Sequence, residues 1–370
     1  MSPAEERRVD GGGAPAATSR AVDNTVHDLI ALANDLRRHI DADLRRRGYD
    51  DRRAGFAPLF SAVWETGIPQ VRLARRLGVS AQAASQTVSL AVRAGYVERR
   101  PNPDDGRSKL VVITDRGRRF VEHGAVAIVD RTARYEGLVG TSRLRRFRRA
   151  LTLLLRGLGL DPDAGLVTTM EPRSDLVAIP VLAEAATRAL REAMVDRGHG
   201  SLRATEHGIL IQIGSDGARA SEIARVQRVS RQAISALLHE IETSGYIERH
   251  AVAGTKHGVA FVLTTRGQEV VDDYVDGIDA IERRYLAVLG SVRFAEVVST
   301  ARELRHRVRL EAAIEQASQP AFAAGGPEWA RSDVELLDLA SDLRAWLGDT
   351  DAARLSAVLG RLVVEHGEAR

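Results

Sequence analysis

Ser80-Ala-Gln-Ala-Ala-Ser-Gln86, Ala94-Gly-Tyr-Val-Glu-Arg-Arg100 and Val111-Val-Ile-Thr-Asp-Arg-Gly117 each return 150 positions later. The second set reads Ser230-Arg-Gln-Ala-Ile-Ser-Ala236, Ser244-Gly-Tyr-Ile-Glu-Arg-His250 and Phe261-Val-Leu-Thr-Thr-Arg-Gly267. No gap is needed from Ala74 to Gly117, and 15 of those 44 positions are identical. Chance agreement between unrelated chains is roughly one position in fifteen at average residue usage. A fixed period of this kind is the signature of a duplicated structural unit, and it governs the reading of everything around it.

Working outward, each copy gives the same series of elements. Asp23 to Arg47 is a predicted long helix, with Val26, Leu29, Ile30, Ala33, Leu36, Ile40 and Leu44 at steps of three and four and Gly48 as its stop. Ala54 to Glu65 follows as a second helix and Gln70 to Leu77 as a short one broken at Gly78. Ser80 is a candidate N-cap for a helix to Ala94, which Gly95 ends. Tyr96 to Arg100 and Lys109 to Thr114 are strands joined by the turn Pro101-Asn-Pro-Asp-Asp-Gly106, hence a hairpin. Asp115 to Gly137 and Thr141 to Leu158 close the copy as helices. The second copy has predicted helices at Leu176 to Arg197, Arg203 to Ile213, Ala220 to Arg228 and Arg231 to Thr243. Its strands are Tyr246 to His250 and Val259 to Thr264, and its last helices Arg266 to Leu289 and Arg293 to Glu315.

The expected organisation is a disordered tail over residues 1–20, domains at 21–159 and 176–316, linkers at 160–175 and 317–330, and a helical pair over 331–370. The fold class is mainly α with small β-hairpin wings: two winged helix-turn-helix domains carried on a helical platform. Two short helices across a tight turn followed by a hairpin present one helix to the DNA major groove.

Composition narrows function. The chain has 370 residues, 44% hydrophobic and 28% charged, with no cysteine, which excludes disulfides, thiolate nucleophiles and thiol-oxidation sensing. No apolar run reaches the roughly 20 residues of a membrane span, and the first residues carry no apolar signal core, so the cytoplasm is the expected location. The net charge of +3 is uneven: Glu328 to Arg370 carries −4 and the rest +7, a balance suited to a polyanion partner. The ten histidines show no metal spacing, no Gly-rich phosphate loop follows a strand, and no catalytic constellation assembles, so neither enzyme activity nor a cofactor or metal is expected.

In the first reading helix Ala81, Gln82, Ser85, Gln86 and Ser89 share one side, roughly opposite Ala84, Thr87 and Ala91. Gln and Ser can bond base edges or phosphates, and Gln suits adenine's paired donor and acceptor. Ser80 stands at the helix start. Arg99, Arg100 and Lys109 on the hairpin are placed for phosphate contacts, which position without specifying. The second copy offers Ser230, Arg231, Gln232, Ser235 and His239 on its helix, Arg249 on its strand, and Lys256 and His257 in its turn.

Leu73-Ala-Arg-Arg-Leu-Gly-Val-Ser80, Ala94-Gly-Tyr-Val-Glu-Arg-Arg100, Asp104-Asp-Gly-Arg107 and Val112-Ile-Thr-Asp-Arg-Gly117 together resemble the multiple-antibiotic-resistance regulator (MarR) family in order and spacing. The wing sequence followed by Ile-Thr-x-x-Gly is the selective part. The resemblance spans about Val22 to Leu158 and again Leu176 to Glu315. It implies a sequence-specific double-stranded-DNA-binding transcriptional regulator, a repressor, whose fused copies form an intramolecular pseudo-dimer on an imperfect palindrome. Tethering makes such pairing effectively unimolecular. It makes Arg107 the wing arginine that enters the minor groove, guided by Asp104 or Asp105. The second copy lacks this wing, and Lys256 and His257 lose the forked donor. The resemblance also implies a small aromatic or phenolic effector between platform and head, near Arg38, His39, Phe60 and Trp64 in the first copy and Arg203 and His207 in the second. Two other classes stay open on sequence alone: an architectural DNA binder without effector, and a protein-interaction module whose heads no longer read DNA. Further dimerisation of the tandem unit is also left open.

Overall fold

The computed structural model describes residues 20–51, 53, 56–103, 105, 108–160, 175–215, 217–227, 229–251 and 259–317. The expected tail, the linkers and the terminal helical pair lie almost wholly outside the described residues, as do Asp104, Arg107, Lys256 and His257. The chain divides after Arg305 into two compact units, and both reading heads belong to the first.

The first copy begins with helix α1, Thr25–Arg46, opened by Asn24, whose side-chain oxygen accepts from the His27 amide at 2.9 Å. Helices α2 (Phe56–Val63), α3 (Gln70–Leu77) and α4 (Ala81–Arg93) follow. Ser80 caps α4 as expected, its hydroxyl accepting from the Ala83 amide at 3.2 Å. Strands β2 (Val97–Pro101) and β3 (Lys109–Ile113) pair antiparallel from Val97↔Ile113 to Pro101↔Lys109. A two-residue strand β1, Ile68–Pro69, joins the far edge of β3 through Ile68↔Val111. Sequence periodicity did not reveal β1, because two residues cannot show an alternation. Helices α5 (Asp115–Val139) and α6 (Thr141–Gly157) complete the copy.

The second copy repeats this as α7 (Ala178–Asp196), α8 (Ala204–Ile213), α9 (Ala220–Gln227) and α10 (Arg231–Thr243), then β4 (Ile247–Ala251) and β5 (Val259–Leu263). Its hairpin keeps the register of the first, from Ile247↔Leu263 to Ala251↔Val259. The third strand shrinks to one bridge, Ala218↔Phe261. The last helix, α11, runs Thr265–Ala317 with a break at Gly290, whose φ of 73° matches the 83° of Gly140 between α5 and α6. The two predicted helices on either side of Gly290 are therefore the equivalents of α5 and α6.

The glycine of the Ile-Thr-x-x-Gly pattern has a steric cause. A Cβ on Gly117 would sit 2.2 Å from the Tyr96 carbonyl oxygen, and one on Gly267 2.0 Å from that of Tyr246. Only glycine lets the long helix start directly against the first strand. The threonine three residues earlier caps the helix, Thr114 accepting from the Gly117 amide and Thr264 from that of Gly267.

Each head has its own core. In the first, Phe56, Phe60, Phe120 and Tyr49 ring Tyr96 at centroid distances of 5.0–6.2 Å. The second uses Ile209, Leu210, Ile223, Ile234, Leu238 and Val270.

The copies meet through their equivalent leading helices, α1 on α7, in an extensive contact. Val26 is fully buried against Ala186, Leu190 and Ile278. Ion pairs flank this patch. Arg20 donates to Asp279 at 3.0 Å and also to Glu282, and the Thr25 amide donates to Glu282 at 2.7 Å. Further along, Arg143 pairs with Glu303, and Arg146 Nε lies 2.9 Å from Glu296. Glu296 is the residue 150 places after Arg146. A position that touches its own equivalent is what a twofold-like contact produces.

Asp28 is wholly enclosed at this contact, with Arg305 Nε 2.7 Å from its Oδ1 and Arg302, Asp23 and Glu282 also facing it. Burial, only partly offset by the Arg305 and Arg302 charges, pushes its pKa up to about 6. The folded chain thus holds this proton more tightly than the unfolded chain. Its contribution favours folding below about pH 4 and is lost as the pH rises through about 6. In chemical denaturation, wild type should lose on the order of 2 kcal/mol relative to Asp28→Asn between pH 4 and pH 7, at about 1.4 kcal/mol per pKa unit. Parallel stability curves for the two proteins would contradict this account.

Candidate nucleic-acid interface

In each head the helix after the tight turn stands outermost. α4 buries Ala84, Val88 and Ala91. Val88, not Thr87, completes the inward face; the half-exposed Thr87 hydroxyl donates back to the Ala83 carbonyl at 3.0 Å. Ser80, Gln82 and Gln86 are exposed, as are Arg100 and Lys109 on the hairpin. Arg100 Nη2 lies 2.5 Å from Glu98 on the same strand.

Three residues expected on the open face have a different task. Gln70, at the start of α3, donates to Ser85 Oγ at 3.2 Å and accepts from Arg99 Nε at 3.0 Å. Arg99 Nη2 donates to Ser89 Oγ at 3.0 Å. Ser85, Ser89 and Arg99 are half-buried and tie the reading helix to the first hairpin strand through Gln70. Arg99 is therefore a positioning residue, not a free phosphate contact. Sequence reading missed Gln70. The signal for it is a polar amide opening a helix whose exposed residues are otherwise Val71 and arginines.

The second head lacks this tie, since Ala220 replaces Gln70 and His239 replaces Ser89. Arg231, Gln232, Ser235 and His239 are exposed on α10, and Ser230 caps it by accepting from the Ala233 amide. Arg249 turns instead to Glu242 of the same helix, with Nη2 at 2.7 Å, and lies 5.5 Å over the Phe261 ring. His239 Nδ1 is 3.9 Å from Glu242. The heads differ in charge as well. Residues 68–113 hold eight basic and three acidic residues, and residues 218–263 six and four. Phosphate attraction thus favours the first head.

Of the six effector positions, Phe60 and Trp64 share the first head's core cluster, and His207 Nδ1 lies 3.1 Å from the Arg203 carbonyl oxygen. Phe60 is fully buried inside the aromatic core, so it packs the head and cannot line a ligand site. Trp64 is half-buried under the Arg118 guanidinium, 5.1 Å from its ring. Arg38 is exposed, 3.8 Å from Asp35. His39 is half-buried, and burial together with the Arg131 charge holds its pKa below the ordinary value. In the second copy the Arg203 amide donates to Glu206 at 2.6 Å, and its side chain pairs with Glu206 and Glu240. Arg203 thereby fastens the start of α8 to α10. His207 stacks on Tyr274 at 6.4 Å, and burial lowers its pKa.

Among the described residues no helix is long and apolar enough to cross a membrane, and no cluster of three or more His, Asp or Glu could hold a metal ion.

A tight helix pair closed by a hairpin, twice over on a helical platform, defines a tandem winged helix-turn-helix protein. The model of the MarR family matches residues 65–108 and 201–256, one match in each copy. The segment that the family model describes is present twice, once in each head. Uncharacterized proteins of Mycobacterium bovis and Mycobacterium tuberculosis are 35% identical to it over 97 residues. That match covers 26% of this chain and 66% of the relatives, just under two thirds of their length. Solved structures similar to part of the chain include the transcriptional regulator Tm0710 of Thermotoga maritima, at 17% identity and a TM-score of 0.29. That likeness covers 36% of this chain and 94% of the other. A Mycobacterium tuberculosis MarR family protein complexed with salicylic acid gives 23% identity, 36% and 96% coverage and a TM-score of 0.28.

The placement of Phe60 is open to direct measurement. Phe60→Ala should cost about 3–5 kcal/mol of stability in denaturant, as deletion of a buried aromatic does. A loss near zero would return Phe60 to the effector residues.

Proposed function

We propose that this chain is a sequence-specific double-stranded-DNA-binding transcriptional regulator whose two heads act as an intramolecular pseudo-dimer, with the first head as the principal reader. The observation that carries the reading is the outward face of α4. Gln82 and Gln86 stand free on a helix that Gln70 and Arg99 hold in place, within a head of strongly basic balance. A glutamine side chain matches the donor and acceptor pattern of adenine in the major groove. The equivalent contact of α1 with α7, and of Arg146 with Glu296, supports the pseudo-dimer. Its operator is an imperfect palindrome, because the half-sites face unlike helices.

Repression and release by a small aromatic acid are what the resemblance to the MarR family implies, and salicylate added to a preformed protein–DNA complex is the direct assay of release. A purely architectural binder would show weak sequence preference and a steep salt slope. A protein-interaction module would not bind DNA.

Gel shifts over the gene's own upstream region at two salt concentrations separate these readings. Gln82→Ala should weaken specific binding by about tenfold or more, the value of roughly 1–3 kcal/mol for a good base contact. Gln232→Ala should cost less, and Arg107→Ala should cost more than Lys256→Ala. The reverse order in either pair, or equal binding to unrelated DNA, would refute the assignment.

A further inference from the structure

Tyr96 and Tyr246 occupy equivalent positions, both buried, but only the first has its hydroxyl satisfied. Tyr96 donates to Asp51 Oδ1 at 2.6 Å, and Arg116 Nη2 lies 3.8 Å from the same oxygen. The Arg116 guanidinium also covers the Tyr96 and Tyr49 rings at 5.1 and 5.3 Å. The first copy thus contains a complete carboxylate site, filled by its own aspartate.

The second copy keeps the donors and loses the carboxylate. Ser201 stands in place of Asp51. Arg266 keeps its place over the Tyr246 ring at 4.2 Å, with Nη1 donating to the Ser244 carbonyl at 2.8 Å and, among the described residues, no acidic partner. The aromatic wall is gone as well: Tyr49, Phe56, Phe60 and Phe120 become His199, Glu206, Leu210 and Val270. His199 is drawn away to Asp273 at 2.8 Å, and Glu206 is held by Arg203. What remains is an open cleft of about 840 Å³ bounded by Ser201, Leu202, Glu206, His239, Glu240 and Arg266. Tyr246 forms part of its wall, and the Tyr246 hydroxyl is buried with no hydrogen-bond partner among the described residues. A donor removed from water and left unpaired is a standing cost that an acceptor would relieve.

We propose that this cleft binds a small hydroxylated monocarboxylic acid, whose carboxylate takes the place that Asp51 fills in the first copy, accepting from the Tyr246 hydroxyl and facing Arg266. The charge balance selects one acid group. Arg203 is committed to Glu206 and Glu240, which leaves Arg266 as the cleft guanidinium without an acidic partner among the described residues, so a second anionic group would find no counter-charge. The rest of the wall is mixed: Leu202 and Ile241 are apolar, while Ser201, Thr243 and the two glutamates can accept from hydroxyls. None of the six effector positions expected from sequence lines this cleft. The inference is independent of DNA binding.

Thermal unfolding of the full chain in sodium gluconate, against sodium chloride of equal ionic strength, tests it. Gluconate should raise the wild-type Tm by about 3 °C or more, as a ligand well above its Kd does. Tyr246→Phe, which removes only the hydroxyl, should abolish the rise, and Tyr96→Phe should leave it intact. Ser201→Asp should raise the Tm without gluconate and blunt the response to it. Equal responses in wild type and Tyr246→Phe, or no response to gluconate, lactate or acetate, would overturn the proposal. So would a Ser201→Asp protein that behaves as wild type.

Discussion

Two leading helices that each carry more apolar surface than their own copy can cover impose the arrangement of this chain. Val26 has no place in the first head's core, and it disappears only against Ala186, Leu190 and Ile278 of the second copy. The flanking charges then fix the alignment. Arg20 with Asp279, Arg143 with Glu303 and Arg146 with Glu296 are matched pairs across the contact. Burial supplies most of the driving force, and the polar rim supplies register. Within one polypeptide the meeting of these faces no longer depends on concentration.

Fusion also removes the constraint that both heads be the same. In a homodimer one substitution alters both subunits, but here each copy has diverged separately. The first copy uses polar ties at the reading helix, Gln70 to Ser85 and Arg99 to Ser89, and a buried Asp35 that accepts from both Arg131 and Tyr135 on its platform. The second copy has Ala220, Ala185 and Ile281 at the positions of Gln70, Asp35 and Arg131. It also turns Arg249 to Glu242 on its own helix. The same backbone thus carries a basic, polar head and a more nearly neutral one. The divergence extends to Tyr96 and Tyr246, one ringed by aromatics and the other beside an open cleft.

Much of the local structure was legible before any coordinates, because it rests on short-range chemistry. Ser80 is the expected cap and Gly95 the expected left-handed stop, each within a few residues of its cause. The helix break at Gly290 falls between the two expected helices, Arg266 to Leu289 and Arg293 to Glu315. The site was less legible. Ser85, Ser89 and Arg99 are polar residues at outward spacing, and nothing in their sequence says that an amide from the preceding helix will reach them. Phe60 was placed beside a ligand by resemblance, yet four aromatic residues far apart in sequence close around Tyr96 and exclude one.

The amino-acid sequence by itself determined that the chain is one winged helix-turn-helix unit written twice, and the order and approximate extent of the helices and hairpins among the described residues. It could do so because caps, stops and apolar periodicity act over a few residues. Only the tertiary structure decided which polar side chains face outward, which are spent on holding the heads together, and which donor is left without an acceptor. Those outcomes depend on what the other helices bring to within 3 Å, a distance that position in the chain does not encode.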